Sequence, residues 1–229
     1  MTTQPLKRRL RIAVFASGRG SNLQALIDAG RDSRLPIEVV LVASDRAHAA
    51  ALRRAEAAGI ATLALDPASY ADRATFDADL FARVGAHAPD LVVLAGFMRI
   101  LSPCVLAPWA GRIINIHPSL LPKYRGLHTH QRAFDAGDAV HGASVHFVTA
   151  ELDGGPTIAQ AEIAIGTGDT PQTLATRLLE REHGLLVASV ALIADDRVAL
   201  VDSRVMVDGT ALTMPLLLGD DGTLAPRLA

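Results

Sequence analysis

The sequence contains a single cysteine, Cys104, and no long uninterrupted apolar run. One cysteine excludes an intrachain disulfide framework and any metal site built from several cysteines, and it suits a reducing cytoplasm. The densest apolar stretch, Leu91 to Met98, is far shorter than the ~18 residues that a membrane span needs. We therefore predict a soluble, cytoplasmic protein that makes no contact with a membrane.

Neither sign of charge dominates, since 22 Lys and Arg face 24 Asp and Glu. This balance argues against the broad cationic surface of a nucleic-acid-binding protein, so any phosphate must be bound locally. The chain has no internal repeat and no low-complexity linker, and 229 residues suffice to bury a substantial core. We predict one main domain over 1–203. Glycines and prolines in 204–229 indicate turns and short strands packed on the same domain.

Apolar runs typical of strands alternate with helical patterns, which predicts an α/β fold with a parallel sheet covered by helices on both faces. The predicted strands are Leu10 to Ala16, Ile37 to Ala43, Ala61 to Leu65, Leu91 to Ala95, Arg112 to Ile116, Ser144 to Thr149 and Thr157 to Ile165. The predicted helices are Asn22 to Ala29, Ala47 to Ala58, Arg73 to His87, His130 to Ala136 and Pro171 to Ala194.

Three polar residues form a candidate catalytic set. Asn115 and His117 lie at the end of a predicted strand, where side chains two residues apart share a face, and Asp153 lies in a glycine-rich turn. Amide chemistry can use a donor for an oxyanion, a titratable imidazole and a carboxylate that holds the imidazole. The alternatives are a loop histidine bound to the backbone and ordinary turn-forming Asn and Asp.

The segment from Ser17 to Leu23 joins the first predicted strand to the first helix. Free N–H groups and the helix dipole favour an anion at such a place, so we predict a phosphate site. The glycine spacing does not fit a dinucleotide fingerprint, and the lysine of a P-loop is missing. The alternative is a tight turn capped by Ser21 or Asn22.

Several histidines, among them His128 and His130, raise the question of a zinc site. Their spacing on a loop that runs into a helix supports zinc only weakly, and no thiolates assist, so we predict no metal. Taken alone, Arg73 and Glu182 are interpreted as residues of solvated helix surfaces. The segment Gly96 to Leu101 follows a strand and could line a slot for a flat ring, or belong to the core.

The strings AGFMRILSP, NIHPSLLPKY, GLHTH, HGASVHFV and ELDGGP together resemble the phosphoribosylglycinamide formyltransferase family. The resemblance extends from about Arg11 to about Val201. It implies a Rossmann-like formyltransferase fold and transfer of formyl from 10-formyltetrahydrofolate, as co-substrate, to the amino group of glycinamide ribonucleotide. The implied partners are these small molecules alone, and the chain would be a monomer or a homodimer. Arg125 and Leu179 depart from the family's pattern.

Site residues are carried over by position. The resemblance implies that Asn115, His117 and Asp153 are catalytic, and that Glu182 lies on the ribose side of a ribonucleotide whose phosphate contacts Gly20, Ser21 and Asn22. The implied folate site comprises Arg73, Met98, Arg99, Ile100, Leu101, Asn115, Thr149, Ala150, Glu151, Leu152 and Asp153.

Rival functions remain open. A formyltetrahydrofolate hydrolase would share the Asn-His-Asp set and use water in place of the amine, but it would not need the phosphate loop. A methionyl-tRNA formyltransferase would carry a further carboxy-terminal domain and a basic surface for RNA, and the sequence shows neither. A nucleotide-binding Rossmann-like module is a candidate of a different class, because fold does not determine function.

Overall fold

A computed structural model describes residues 8–32 and 35–227. Within these residues the strands are β1 (Leu10–Phe15), β2 (Ile37–Ser44), β3 (Thr62–Ala64), β4 (Leu91–Leu94), β5 (Ile113–His117), β6 (Val140–Phe147), β7 (Thr157–Ala164), β8 (Val198–Val201), β9 (Arg204–Val207), β10 (Thr210–Ala211), β11 (Leu216–Leu218) and β12 (Leu224–Ala225). The α-helices are α1 (Ser21–Arg31), α2 (Ala50–Ala57), α3 (Arg73–Gly85), α4 (Pro103–Leu106), α5 (Thr129–Asp135) and α6 (Pro171–Ala194).

Nine of these strands form the central sheet, in the order β12-β11-β7-β6-β5-β4-β1-β2-β3. The five strands from β5 to β3 all run parallel. Strand β6 runs antiparallel to both of its neighbours, while β11 is parallel to β7 and β12 is antiparallel to β11. The predicted α/β class with a mostly parallel central sheet is confirmed.

The two faces of the sheet bury two separate apolar clusters. Along β1, Ile12 and Val14 join one cluster while Ala13 and Phe15 join the other, because side chains alternate along a strand. Helices α1 and α6 cover the first face, and α3 covers the second. The parallel strands are buried on both sides, which explains why their sequences are apolar runs rather than alternating patterns.

Strand β6 differs most from its prediction. It begins at Val140, four residues before the predicted Ser144, and ends at Phe147. The early start depends on the pairing of β6 with β7, which brings the two backbones close together at Gly142. A Cβ on Gly142 would lie only 2.0 Å from the carbonyl oxygen of Ala161 on β7. A glycine weakens the local strand pattern, yet here it permits close approach of the neighbouring strand. The short helix α4 was not predicted, and α2 begins three residues later than Ala47.

The residues from 204 to 227 contribute to two sheets. Strand β9 pairs with β8 and β10 in a three-stranded antiparallel sheet, whereas β11 and β12 extend the central sheet beyond β7. The predicted boundary after residue 203 therefore falls between the paired strands β8 and β9, and the division of the chain there stays a prediction. The outer ends of the two predicted segments, 1–7 and 228–229, lie outside the described residues. In the part of the chain described, no helix has the length and hydrophobicity to cross a membrane.

Candidate active site

A cavity of about 740 Å³ opens beyond the carboxyl ends of β4 and β5. Ligands of open α/β sheets bind at this edge, where loops can be varied without disturbing the core. The residues singled out from the sequence that line it are Asn22, Met98, Arg99, Ile100, Leu101, Asn115, His117, Thr149, Glu151, Leu152, Asp153 and Glu182. Gly20, Ser21, Arg73 and Ala150 are not among its lining residues.

Asn115 and His117 occupy β5 and share a face, as the spacing predicts. Asp153 approaches from the turn between β6 and β7. Its Oδ2 lies 3.5 Å from Nδ1 of His117, and its Oδ1 lies 3.4 Å from Nδ2 of Asn115. The structure therefore brings the three predicted residues together at one place in the cavity.

The tautomer of His117 follows from its second ring nitrogen. Nε2 lies 2.9 Å from the carbonyl oxygen of Tyr124, and a carbonyl only accepts, so Nε2 carries a hydrogen and donates it. Burial lowers the pKa of His117 below its usual value, although the bond to Tyr124 and the charge of Asp153 oppose that shift. In the free protein at neutral pH, His117 is therefore mostly neutral, with Nδ1 facing Asp153.

Asp153 is ionised despite being largely buried. Burial by itself raises its pKa, but the nearby His146 imidazole, the Gly126 N–H at 2.9 Å and the nearby His117 outweigh burial and hold the pKa below its usual value. The backbone of Asp153 has a φ of 47°, in the left-handed region that Asp adopts more readily than most residues. The turn thus presents a charged carboxylate to the imidazole.

His146 is the member of the site that the sequence analysis did not assign. It faces Asn115 directly across the β5–β6 pairing, and its Nε2 lies 3.1 Å from Nδ2 of Asn115. Its Nδ1 donates to the carbonyl of Phe147 at 2.9 Å, so Nε2 is an acceptor for the Asn115 amide. Only the register of two antiparallel strands pairs these residues, and no local sequence pattern specifies that register.

Both amide hydrogens of Asn115 are thus engaged in the free protein. The bond to His146 is the shorter one, and the 3.4 Å contact with Asp153 is long for a hydrogen bond. A developing oxyanion in the cavity could therefore take over the hydrogen that points towards Asp153, while His146 keeps the amide plane in place.

The loop predicted to bind phosphate packs tightly against α2. Gly20 has a φ of 72°, and a Cβ there would lie 2.8 Å from both Cα and Cβ of Ala51. Gly20 is also the N-cap of α1 and offers no side-chain acceptor, so the alternative of a turn capped by Ser21 or Asn22 does not describe this helix start. The N–H groups of the first turn lack a side-chain cap, as an anion site requires.

Asn22 and Glu182 form a buried polar pair in the cavity wall. Nδ2 of Asn22 donates to Oε2 of Glu182 at 3.0 Å, while Oδ1 of Asn22 is buried with no partner in the structure. Burial raises the pKa of Glu182 to about 7, and the bond from Asn22 opposes the shift only in part. Glu182 is therefore not on a solvated helix face, and its protonation changes near neutral pH.

The raised pKa of Glu182 predicts a pH dependence of stability. A carboxyl that ionises near pH 4.5 when unfolded and near pH 7 when folded holds its proton more tightly in the folded state, so stability falls as pH rises through that window. We expect Glu182→Gln to remove this fall and to be more stable than wild type at pH 8, by up to roughly 3 kcal/mol. Urea unfolding at pH 4.5 and pH 8 measures the difference.

Glu180→Gln, on the exposed side of the same helix, is the matched control. Equal changes in the free energy of unfolding for both variants between the two pH values would contradict the assignment of this dependence to Glu182.

Two loops with exposed apolar side chains form the rim of the cavity. Met98 and Ile100 lie on one loop and Leu152 on the other, and they are 58%, 48% and 46% exposed. Such exposure at a concave site is typical of a surface that a ring-bearing ligand covers. Arg125 forms an ion pair with Glu151, which links the loop after β5 to the loop after β6.

His130 and His141 meet inside the fold, with 3.0 Å between Nδ1 and Nε2. Burial, reinforced by the neighbouring His130, lowers the pKa of His141 to about 4. One neutral ring donates to the other. Residues 8–32 and 35–227 contain no group of three or more His, Cys, Asp or Glu placed to hold a metal ion.

Comparison with known proteins gives a consistent result. Residues 10–190 match the protein family described as formyl transferase. Phosphoribosylglycinamide formyltransferase of Escherichia coli (strain K12) is 46% identical over 203 residues, which cover 89% of this chain and 96% of that protein. The phosphoribosylglycinamide formyltransferase structure from Coxiella burnetii is 43% identical with a TM-score of 0.86, covering 90% of this chain and 96% of that one.

A formyltetrahydrofolate deformylase from Pseudomonas syringae pv. tomato shares the fold at a greater distance. It is 29% identical with a TM-score of 0.79, and the match covers 87% of this chain but 66% of that one. The sequence identity is therefore higher to the two transferases than to this deformylase.

Proposed function

The chain belongs to the formyl transferase family, and from that premise we propose that Asn115, His117 and Asp153 carry out its chemistry. The enzyme is a phosphoribosylglycinamide formyltransferase, which catalyses the folate-dependent formylation of glycinamide ribonucleotide in purine biosynthesis. The observation that carries the proposal is that Asp153, on a turn distant in sequence from β5, lies 3.5 Å from His117 and 3.4 Å from Asn115 at the cavity. We propose 10-formyltetrahydrofolate as the formyl donor, with no metal, acting in the cytoplasm.

Formyl transfer begins when the amine of the ribonucleotide attacks the formyl carbon. The carbonyl oxygen becomes an oxyanion, and the new bond leaves a positive charge on the attacking nitrogen. A carbon–nitrogen bond to the folate must then break, and a proton must move from the amine to the departing nitrogen. The site therefore needs hydrogen-bond donors for the oxygen and a route for one proton, but no covalent bond to the protein.

The residues match these needs. Nδ2 of Asn115 is a donor for the oxyanion. His117 begins largely neutral, and its Nδ1 accepts the amine proton as negative charge develops beside it, which makes the imidazolium a second donor. Asp153 stabilises that imidazolium from 3.5 Å and relays the proton towards the departing nitrogen, directly or through a water molecule.

The ribonucleotide is proposed to bind between the start of α1 and α6. Backbone N–H groups of Gly20, Ser21 and Asn22 would receive its phosphate, because an uncapped helix start favours an anion. Asn22, whose buried Oδ1 has no partner, and Glu182 both line the cavity, and their side chains would bind sugar hydroxyl groups. Sugar hydroxyls donating to Glu182 would favour its ionised form and release its proton on binding.

The folate is proposed to occupy the apolar part of the same cavity. The loops containing Met98 to Leu101 and Thr149 to Asp153 supply exposed apolar side chains, together with backbone groups for the polar edge of its ring. Arg73 begins α3 as an exposed residue and, like Ala150, does not line the cavity, so the assignment of these two to the folate site stays a prediction. Monomer and homodimer both remain predictions.

Purified protein incubated with 10-formyltetrahydrofolate and glycinamide ribonucleotide, in the presence of a chelator, should yield formylated ribonucleotide and tetrahydrofolate in equal amounts. Both products can be quantified by mass spectrometry. Omission of the ribonucleotide should leave the folate formylated, because no amine is then available. Release of formate at an equal rate without ribonucleotide would instead identify a hydrolase.

A further inference from the structure

The carbonyl of Tyr124 determines which nitrogen of His117 is available for chemistry. Because Nε2 is engaged with that carbonyl at 2.9 Å, Nδ1 is the nitrogen that gains and loses a proton beside Asp153. A ring free to adopt the other tautomer would place a hydrogen on Nδ1 before the reaction and could not accept the amine proton there. The backbone of the loop after β5 therefore controls the state of the imidazole.

That backbone adopts an unusual conformation at the residue concerned. Tyr124 has a φ of 54°, in the left-handed region, which a tyrosine adopts only when its surroundings hold it there. Return of Tyr124 to an ordinary φ would rotate its peptide groups and turn the carbonyl away from His117. The hydrogen bond to Nε2 thus depends on whatever anchors the Tyr124 side chain.

The anchor is Asp138, in the turn between α5 and β6. The hydroxyl of Tyr124 donates to Oδ2 of Asp138 at 2.8 Å, and Nζ of Lys123 lies 3.0 Å and 3.1 Å from its two carboxylate oxygens. These bonds hold the pKa of Asp138 below its usual value, and the bond from Tyr124 has the largest effect. Asp138 is therefore an ionised acceptor at neutral pH. The guanidinium of Arg132 lies over the Tyr124 ring, 5.1 Å from its centroid.

We propose that Asp138 is a positioning residue for formyl transfer: it holds the Tyr124 hydroxyl, and thereby keeps the Tyr124 carbonyl against Nε2 of His117. Asp138 does not line the cavity, so it acts through Tyr124 and not on the substrates. The proposal rests on the proposed role of His117. It requires that loss of the anchor lowers turnover while the affinities for both substrates stay nearly constant.

Three variants separate this role from general stabilisation. Tyr124→Phe removes only the hydroxyl, and Asp138→Ala removes the acceptor. Asp138→Asn retains an acceptor oxygen and should restore most of the activity lost in Asp138→Ala. The matched control is Tyr70→Phe, because Tyr70 is the other tyrosine of the chain and its hydroxyl also donates to an aspartate, Asp79, at 2.5 Å.

Two measurements are made on each full-length variant. Single-turnover rates should fall about tenfold to a hundredfold in Tyr124→Phe and Asp138→Ala, as expected for one lost hydrogen bond to a charged group, with KM for each substrate within about twofold of wild type. Spectra of ¹⁵N-histidine-labelled protein, with the His117 signals identified from His117→Ala, should show the Nε2–H tautomer in wild type and a mixture in the two variants. Tyr70→Phe should match wild type in both.

The tautomer and the single-turnover rate test different parts of the proposal. An unchanged His117 tautomer in Tyr124→Phe and Asp138→Ala would overturn the positioning role, whatever happens to the rate. A changed tautomer with an unchanged rate would overturn the role in turnover, and it would also point to failure of the proposed catalytic role of His117. If Tyr124→Phe does not fold, the comparison of Asp138→Ala with Asp138→Asn decides the same question.

Discussion

His117→Ala should lower the single-turnover rate of formyl transfer by at least ~10²-fold, and Asn115→Ala should do the same, while ligand affinities change by less than about tenfold. The reason is that these side chains meet a charge that exists mainly in the transition state. One donor to an oxyanion is typically worth ~10²–10³ in turnover. Rapid-quench measurements with enzyme in excess isolate this step. His48→Ala, an exposed histidine outside the cavity, is the control.

Asp153→Asn should cause a loss of similar size and should also change the pH profile. The carboxylate of Asp153 favours the imidazolium form of His117, so its removal lowers the pKa of His117 further, and the inflection due to that group should move to lower pH. Because the groups act as a unit, the double change His117→Ala with Asp153→Asn should cost much less than the product of the single losses. Fully multiplicative losses would show that the catalytic set is misassigned.

Gly155→Ala should destabilise the fold by about 3 kcal/mol, at the upper end of what overpacking usually costs. A Cβ at Gly155 would lie 1.8 Å from the carbonyl oxygen of Phe147, which is backbone and cannot move aside cheaply. That carbonyl also accepts the Nδ1 hydrogen of His146, so the displacement should disturb Asn115 and reduce turnover as well. Urea unfolding and the single-turnover rate measure the two effects.

Gly168→Ala provides the matched comparison, since a Cβ at Gly168 meets nothing within 4 Å and the residue is exposed. Its stability should stay within about 0.5 kcal/mol of wild type. If Gly155→Ala were as stable as Gly168→Ala, this result would contradict the close approach of the Asp153 turn to β6.

Sequence patterns correctly predicted the helices and strands whose signals lie within a short stretch of the chain. Helix α6 has the predicted bounds, Pro171–Ala194, because a threonine N-cap, a proline at the first position and helical periodicity all lie within its own sequence. The sharing of a face by Asn115 and His117 followed from the two-residue period of a strand. The cavity lies where predicted ligand-bearing loops follow parallel strands.

The sequence by itself thus determined the α/β class, the family and the face of β5 that carries the proposed catalytic residues, because periodicity, capping and motif strings are local. Only the tertiary structure decided that β6 runs antiparallel, that His146 faces Asn115, that the Tyr124 carbonyl orients His117, and that part of the segment after Arg204 extends the central sheet. Each of these depends on strand register or on contact between residues far apart in the chain. Such contacts are chosen by packing of the whole fold, and no short stretch of sequence contains them.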